Sequence, residues 1–280
     1  MDAAAPRRMQ IARGLSELRE RAQLTQEEVA KRAGLSAGTV NRYENWSTTA
    51  RLKPSTVKLL AGACGATAAE VETLVQLAGD ASAGWWVGND AVPSWLNPLV
   101  SLEHEAAYEN VFAPSVVPGL LQTRSYAMAI HQAQEVREDP AEIERMVDAR
   151  IQRQGILDRR PPFHLWAVLD EAVLRRIVGD AAVMAEQIDH LRDMADRPNV
   201  DIQVLPFSAG AHAAVLGQFV TLGTDELSAV YVEMRGGGMY LDKRPDVERY
   251  RLAWDYVRSQ AANTSASLAM LTAALKEYRS

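Results

Sequence analysis

Residues 25–45 of this 280-residue chain, TQEEVAKRAGLSAGTVNRYEN, decide the fold of its first part. Gly34 stands between two short helical segments, and glycine tolerates the positive φ that a tight turn between helices requires. Ala30 is small enough for the second segment to cross closely over the first. The other interhelical positions are all apolar or aromatic: Val29, Ala33, Leu35, Val40 and Tyr43. This spacing predicts a helix-turn-helix.

Polar residues mark where both helices of the pair begin. Thr25 and Glu28 form a capping-box pattern, and Ser36 is a natural N-cap for the second helix. A capped helix start presents free N–H groups and the positive end of the helix dipole, which favour a phosphate oxygen. Gln26 lies at such a start, so we expect it to contact a nucleic-acid backbone.

The outward face of the helix after the turn is short-chained and polar, which suits the major groove of DNA. Arg42 could contact guanine bidentately, Asn41 could contact adenine, and Thr39 could reach a base edge or a phosphate. The alternative is a merely solvated helix face, but the coincidence with the helix-turn-helix spacing favours DNA. The expected contact residues are Gln26, Ser36, Ala37, Gly38, Thr39, Asn41, Arg42, Arg51 and Lys53.

Charge is distributed unevenly along the chain. The net charge of −6 argues against nucleic acid at first sight, since phosphate contacts need Lys and Arg. Residues 1–60, however, hold 11 basic against 6 acidic residues, a net of +5, and residues 61–280 hold 19 against 30, a net of −11. A basic N-terminal part followed by an acidic remainder is typical of a DNA-binding module joined to a different module. Within the N-terminal part, we expect Arg19 and Glu44 to form an ion pair.

Turn signals and hydrophobic periodicity divide the chain in two. We expect a five-helix bundle over residues 1–80 and a larger mixed α+β domain over residues 81–280, so that the chain is α+β overall. The small residues at 79–84 form the linker between them. The larger domain is expected to contain strands at 163–169, 200–205, 219–222 and 229–234 and helices at 122–133, 140–157, 181–195, 245–260 and 265–278.

Several classes of protein and site are disfavoured. No apolar run approaches the length of a membrane helix and the N-terminus lacks a signal-peptide core, so we expect a cytoplasmic protein without a membrane partner. The single cysteine, Cys64, has no thiol partner, and the five histidines lack metal-ligand spacing. We therefore expect neither a metal nor a cofactor. No nucleophile and base stand at recognisable spacing, so an enzyme ranks last among the functions.

The first part of the chain resembles a known group of proteins. The matching stretches are 25–30, 33–36 and 43–45, and they are similar to the Xre/phage-repressor family of helix-turn-helix proteins. The resemblance covers residues 9–78 and implies a five-helix DNA-binding domain. One departure is Trp46-Ser47-Thr48-Thr49, which replaces the glycine-containing turn that usually follows the third helix.

The second part resembles the uncharacterised domain of actinobacterial antitoxin-like transcriptional regulators. The matching stretches are dispersed over residues 84 to about 255, and they include 84–86, 117–123, 169–172, 203–212 and 231–233, together with Tyr126, Arg150, Arg153 and Gln154. The resemblance implies a regulator that is often paired with a small partner protein. It implies no catalytic residues.

Candidate effector or partner residues in this part each have a structural alternative. Arg150 and Arg153 fall on one polar side of a helix and could grip an acidic group, or could be solvated. Trp85 and Trp86 could line a ligand pocket or pack in a core. His212 lies in a loop leaving a strand, where binding and packing are equally plausible. Asp170-Glu171 could be catalytic carboxylates, but a helix start is favoured; Gly236-Gly237-Gly238 is interpreted as a tight turn.

Two functions from different classes remain. The first is a regulator that binds an inverted-repeat operator in double-stranded DNA as a homodimer, while residues 81–280 sense a small molecule or a protein. The second is an antitoxin-like protein that sequesters a small partner protein and autoregulates through DNA binding.

Overall fold

A computed structural model of the chain describes residues 5–46, 52–79, 92, 96–134, 138–224, 228–235 and 237–280. Contacts within the chain divide it into two units, Met1–Leu102 and Glu103–Ser280. The linker expected at 79–84 begins at the last residue of a helix, and its other residues lie outside the described part.

The first unit begins with the predicted bundle of five helices. Its shared core is formed by apolar residues at helical spacing, among them Ile11, Leu15, Val29, Val40 and Leu60. Cys64 is buried with them, in keeping with its small flanking residues. The helices are α1 (Ala5–Arg21), α2 (Gln26–Ala33), α3 (Ala37–Glu44), α4 (Pro54–Ala63) and α5 (Ala68–Gly79).

The rest of the described chain is α+β, as predicted, and adds seven helices and six strands. The helices are α6 (Asn97–Glu105), α7 (Arg124–Gln134), α8 (Pro140–Gln154), α9 (Glu171–Arg175), α10 (Ala181–Ala195), α11 (Arg244–Gln260) and α12 (Thr264–Arg279). The strands are β1 (Tyr108–Ala113), β2 (His164–Asp170), β3 (Val200–Leu205), β4 (Phe219–Gly223), β5 (Ser228–Met234) and β6 (Gly237–Leu241).

The six strands form one mixed sheet in the order β3-β2-β1-β4-β5-β6. β1, β2 and β3 are parallel, and the connections between them carry helices α7 to α10, as parallel crossovers require. β4, β5 and β6 continue the sheet as an antiparallel meander. Four of the six strands are those the sequence predicts, and β1 and β6 are additional.

The assignment of Gly236-Gly237-Gly238 to a tight turn was only partly right. Gly237 and Gly238 belong to β6, where they pair with Met234 and Glu233 of β5. Ladder pairing with β5 therefore holds these two glycines extended, and Gly236 lies outside the described residues.

The pleat of the sheet separates two environments. Phe112 of β1 and Val230 of β5 face a core with Trp254 of α11. Side chains alternate between the faces of a strand, so Glu109 and Tyr231 lie on the opposite face. Both are buried, which places two polar groups on an otherwise apolar sheet surface.

Candidate nucleic-acid interface

The turn between α2 and α3 has the geometry that its residues predict. Gly34 adopts φ 68° and ψ 33°, the left-handed conformation that ends α2. Thr25 and Glu28 form the complete capping box: Thr25 Oγ1 accepts from the Glu28 N–H at 3.2 Å, and the Thr25 N–H donates to Glu28 Oε2 at 2.8 Å. The bond from the Thr25 N–H, and then a bond that the Thr25 hydroxyl donates to Glu28 Oε2 at 3.0 Å, lower the pKa of Glu28. Ser36 caps α3 by accepting from the Thr39 N–H at 3.2 Å.

The outer face of α3 is presented to solvent. Asn41 and Arg42 are exposed, whereas Val40 and Tyr43 on the opposite side are buried in the bundle. Arg42 Nη2 donates to Thr39 Oγ1 at 3.3 Å, and that hydroxyl lies 2.9 Å from Ser36 Oγ. Ser36, Thr39 and Arg42 thus form a continuous polar row along the helix. Asn41 has no hydrogen-bond partner for its side chain among the described residues.

Two neighbouring residues hold α3 in this orientation. Arg19 of α1 reaches both carboxylate oxygens of Glu44, at 2.8 and 3.0 Å, which is the ion pair that the sequence predicts. Gln26 Nε2 donates to Glu44 Oε2 at 2.9 Å. Gln26, expected at a phosphate, therefore also connects the start of α2 to the end of α3.

Two residues after α3, Arg51 and Lys53, are expected to contact phosphates, and the structure describes one of them. Lys53 is exposed at the N-cap of α4, and its backbone N–H donates to Tyr43 Oη at 3.0 Å. This bond holds the backbone of Lys53 next to Tyr43 of α3. Arg51 lies outside the described residues, as do Trp85 and Trp86.

Two family models match separate parts of the chain. Residues 10–74 match a model described as a helix-turn-helix domain, so the first unit contains a helix-turn-helix DNA-binding domain. Residues 96–273 match the domain of unknown function DUF5753. The chain belongs to the DUF5753 family. No curated protein and no solved structure matches it.

The DUF5753 domain contains a buried ionic cluster next to the sheet. Arg153 of α8 donates from Nε to Glu103 Oε2 at 2.7 Å, and its Nη2 bonds the other carboxylate oxygen. The side chain of Glu103 is 1% exposed. Burial acts to lower the pKa of Arg153, but the carboxylate of Glu103 outweighs it and raises that pKa. Arg153 is therefore fully engaged inside the domain.

Glu109 of β1 lies beside this ion pair. Burial, and then the charge of Glu103, raise the pKa of Glu109 well above its ordinary value, and its Oε2 has no hydrogen-bond partner in the described structure. Burial therefore favours the neutral carboxyl of Glu109 over its charged form.

Arg150 differs from Arg153 although both lie on α8. Its Nη1 donates to Gln122 Oε1 at 2.6 Å, and no described carboxylate lies within ion-pair distance of it. Burial, and then the charge of Arg153, lower the pKa of Arg150 to about 10. The charge of Glu233 acts in the opposite direction and raises that pKa, but Glu233 makes no ion pair with Arg150.

The remaining described residues singled out from the sequence make contacts within the domain. The ring of His212 packs edge-on against Phe112 with centroids 5.1 Å apart, and its Nδ1 accepts from the Ala214 N–H. Asp170 caps α9 by accepting from the Ala172 N–H at 2.8 Å. Glu171 accepts from the Phe207 N–H at 3.0 Å. These contacts support the helix-start interpretation of Asp170-Glu171 over a catalytic one.

Sequence reasoning missed Glu103, Glu109 and Tyr231 as members of the polar cluster. Each lies in a local pattern without distinctive spacing, and only the tertiary fold brings them toward α8. Within the described ranges, no group of three or more His, Cys, Asp or Glu side chains is arranged to hold a metal ion. In the same residues, no helix is long and apolar enough to span a membrane.

Proposed function

We propose that this chain is a sequence-specific transcriptional regulator that binds double-stranded operator DNA in the cytoplasm through α3. The observation that carries the proposal is the outer face of α3, on which Asn41 and Arg42 are exposed to solvent while the opposite side packs in the bundle. The resemblance to Xre-type, antitoxin-like regulators supports the same function. Residues 81–280 act as the sensing domain of the regulator.

Each residue of the exposed face has a role in this proposal. Arg42 contacts guanine and Asn41 contacts adenine in the major groove, because their donors and acceptors match those base edges. Thr39 reaches a base edge or a phosphate, while Ala37 and Gly38 allow close approach of the helix. Gln26, Ser36 and Lys53, with Arg51, contact the phosphate backbone.

The regulator binds as a homodimer. A single helix-turn-helix makes few base contacts, and two-fold pairing doubles them over half-sites that are about one helical turn of DNA apart. The operator is then an inverted repeat whose symmetry matches that of the protein.

An electrophoretic shift series tests the role of Arg42. R42A should weaken binding to the operator about 10-fold to 100-fold, as expected for loss of one bidentate base contact, and change binding to unrelated DNA much less. K53A is the matched control, because loss of a phosphate contact weakens binding to both DNAs alike. Equal loss on both DNAs with R42A would exclude base recognition by Arg42.

A partner-binding function is the second candidate, and a specific surface favours it. The segment between β3 and β4 exposes Phe207, Val215 and Leu216, the last of them completely. Adjacent exposed apolar side chains are typical of protein-interaction surfaces. In an antitoxin-like protein, this surface would hold the small partner protein.

Affinity purification of the full chain separates the two candidates. A small protein that co-purifies at fixed stoichiometry with the wild type and is lost with L216S would support partner binding. A metabolite retained by both proteins and detected by mass spectrometry, with no stoichiometric protein, would support sensing.

A further inference from the structure

Arg150 of the DUF5753 domain has no carboxylate within ion-pair distance among the described residues. Glu103 pairs directly with Arg153, whereas the charge of Glu233 acts on Arg150 only from beyond ion-pair distance. An unpaired charge removed from water costs several kcal/mol unless a counter-ion accompanies it. An anion from solution would supply that counter-ion.

The surroundings of Arg150 offer further donors that have no acceptor. His131 of α7, which packs against α8, has a buried Nε2 without a hydrogen-bond partner in the described chain. Arg150 is near enough for its charge to contribute to the lowered pKa of His131. Tyr231 of β5 likewise has a buried Oη without a partner, and it lies near Arg153. Buried polar groups normally have hydrogen-bond partners, so these two unpaired atoms near Arg150 and Arg153 require an explanation.

Arg150 keeps part of its surface exposed and lies next to Gly119. The residue is half-buried, and Gly119 lies against it: a Cβ at Gly119 would be 3.9 Å from Arg150 Nε and 3.7 Å from Arg153 Nη1. The amide of Gln154 donates to the carbonyls of Gly119 and Gln122, which fixes this segment in place. The guanidinium of Arg150 is thus held by Gln122 and retains free donors.

We propose that Arg150, with the unpaired donors near it, binds the oxyanion of a small-molecule ligand, either a carboxylate or a phosphate group. A guanidinium presents paired N–H donors whose geometry matches both groups. The ligand is the effector of the sensing domain, and in this respect the inference rests on the proposed function. Arg153 orients the site through Glu103 and does not bind the anion.

Thermal unfolding of the full chain tests the site with defined probes: sodium phosphate and sodium acetate, each compared with sodium chloride at equal ionic strength. For a dissociation constant of about 1 mM, about 50 mM of the preferred anion should raise Tm by about 5 °C, with a saturating dose response. The stronger of the two responses identifies the chemical source of the oxyanion. A wild-type protein that shows no saturable response to either anion would overturn the proposal.

Variants on α8 localise the response. R150Q keeps a donor for Gln122 but removes the charge, so it should abolish the anion response while Tm in chloride stays equal or rises. R145Q is the matched control, because Arg145 is an exposed arginine of the same helix that pairs only with Glu142 among the described residues. An undiminished response in R150Q would overturn the proposal.

A gain-of-charge variant tests the site even if R150Q fails to fold. G119D would place a carboxylate beside Arg150, so it should raise Tm in chloride and remove the response to phosphate and acetate. G119N, of the same size without the charge, should do neither. Identical behaviour of G119D and G119N would contradict the proposed oxyanion site.

Operator binding is measured separately, so the two proposals can fail independently. An anion response that leaves operator affinity unchanged would retain the site and reject its sensing role. Loss of operator binding in R42A has no bearing on the anion response, which is recorded without DNA.

Discussion

Arg19 of α1 forms an ion pair with Glu44 at the end of α3. Its Nε donates to both carboxylate oxygens of Glu44, at 2.8 Å to Oε1 and 3.0 Å to Oε2. The side chain of Glu44 is only 6% exposed and that of Arg19 17%. The contact therefore connects the DNA-facing helix to the first helix of the bundle in a partly desolvated setting. It controls the angle at which α3 is presented.

Removing the charge of Glu44 should destabilise the bundle. E44Q removes the nearer counter-ion of the partly buried Arg19 and leaves only the exposed Glu20, at 3.8 Å, so we expect a loss of about 2 kcal/mol in the free energy of unfolding. Urea denaturation followed by circular dichroism measures it. E17Q, which breaks the exposed Arg13–Glu17 pair, is the control and should cost less than about 0.5 kcal/mol. Equal effects of the two variants would contradict an anchoring role.

Two glycines of the bundle should respond to alanine in opposite directions. Gly34 has φ 68°, so G34A is strained and should cost about 1 kcal/mol. Gly62 is an exposed residue of helix α4 with nothing within 4 Å of an added Cβ, so G62A should gain about 0.5 to 1 kcal/mol. Chemical denaturation of the two variants in parallel decides the matter, and stabilisation by G34A would show that the turn is not held left-handed.

The sequence determines the helix-turn-helix far more completely than the site in the second unit. Gly34, Thr25 and Ser36 act on their immediate neighbours, so their geometry follows from local chemistry. The Arg19–Glu44 pair was also predictable, because a known bundle topology fixes the positions of both helices. Arg150 and Arg153 look alike in sequence, being three residues apart on one helix. Only the fold distinguishes them, because it brings Glu103 into an ion pair with Arg153 and no described carboxylate into an ion pair with Arg150.

Strand β1 shows the same limit at the level of secondary structure. Its sequence, YENVFA, places Glu109 and Asn110 where a central strand usually carries apolar residues. Glu109 is buried beside the Glu103–Arg153 pair, and that arrangement joins residues distant in sequence. The hydrophobic periodicity of the sequence cannot predict such a contact between distant residues.

Gly238 of β6 should not tolerate a side chain. A Cβ at this position would lie 2.2 Å from Cε2 of the buried Tyr231 ring, so G238A must displace the ring, and we expect a cost of about 2 kcal/mol. The neighbouring Gly237 has open space around it, and G237A should change the free energy of unfolding by less than about 0.5 kcal/mol. Thermal unfolding of both variants measures the difference. Similar Tm values would show that β6 does not pack against Tyr231.

His131 should make the second unit sensitive to mild acid. Burial, and then the positive charge of Arg150, lower its pKa from the ordinary 6.5 to about 4. Between pH 6.5 and pH 4, His131 is protonated in the unfolded chain but remains neutral in the folded chain. The stability that neutral His131 contributes is therefore fully present above pH 6.5 and is lost as the pH falls toward 4. Because the side chain is partly exposed, we expect the loss to be about 2 kcal/mol rather than the full value of the shift.

The free energy of unfolding of the full chain, measured between pH 4 and pH 7, tests this account. H131Q removes the titrating group, so its curve should fall less steeply than that of the wild type in this window. H164Q removes an exposed histidine from the start of β2 and should follow the wild-type curve. Parallel curves for H131Q and wild type would mean that His131 is not held neutral beside Arg150. Neutralisation of Arg150 by a bound oxyanion would ease protonation of His131, so saturating anion should also flatten the wild-type curve.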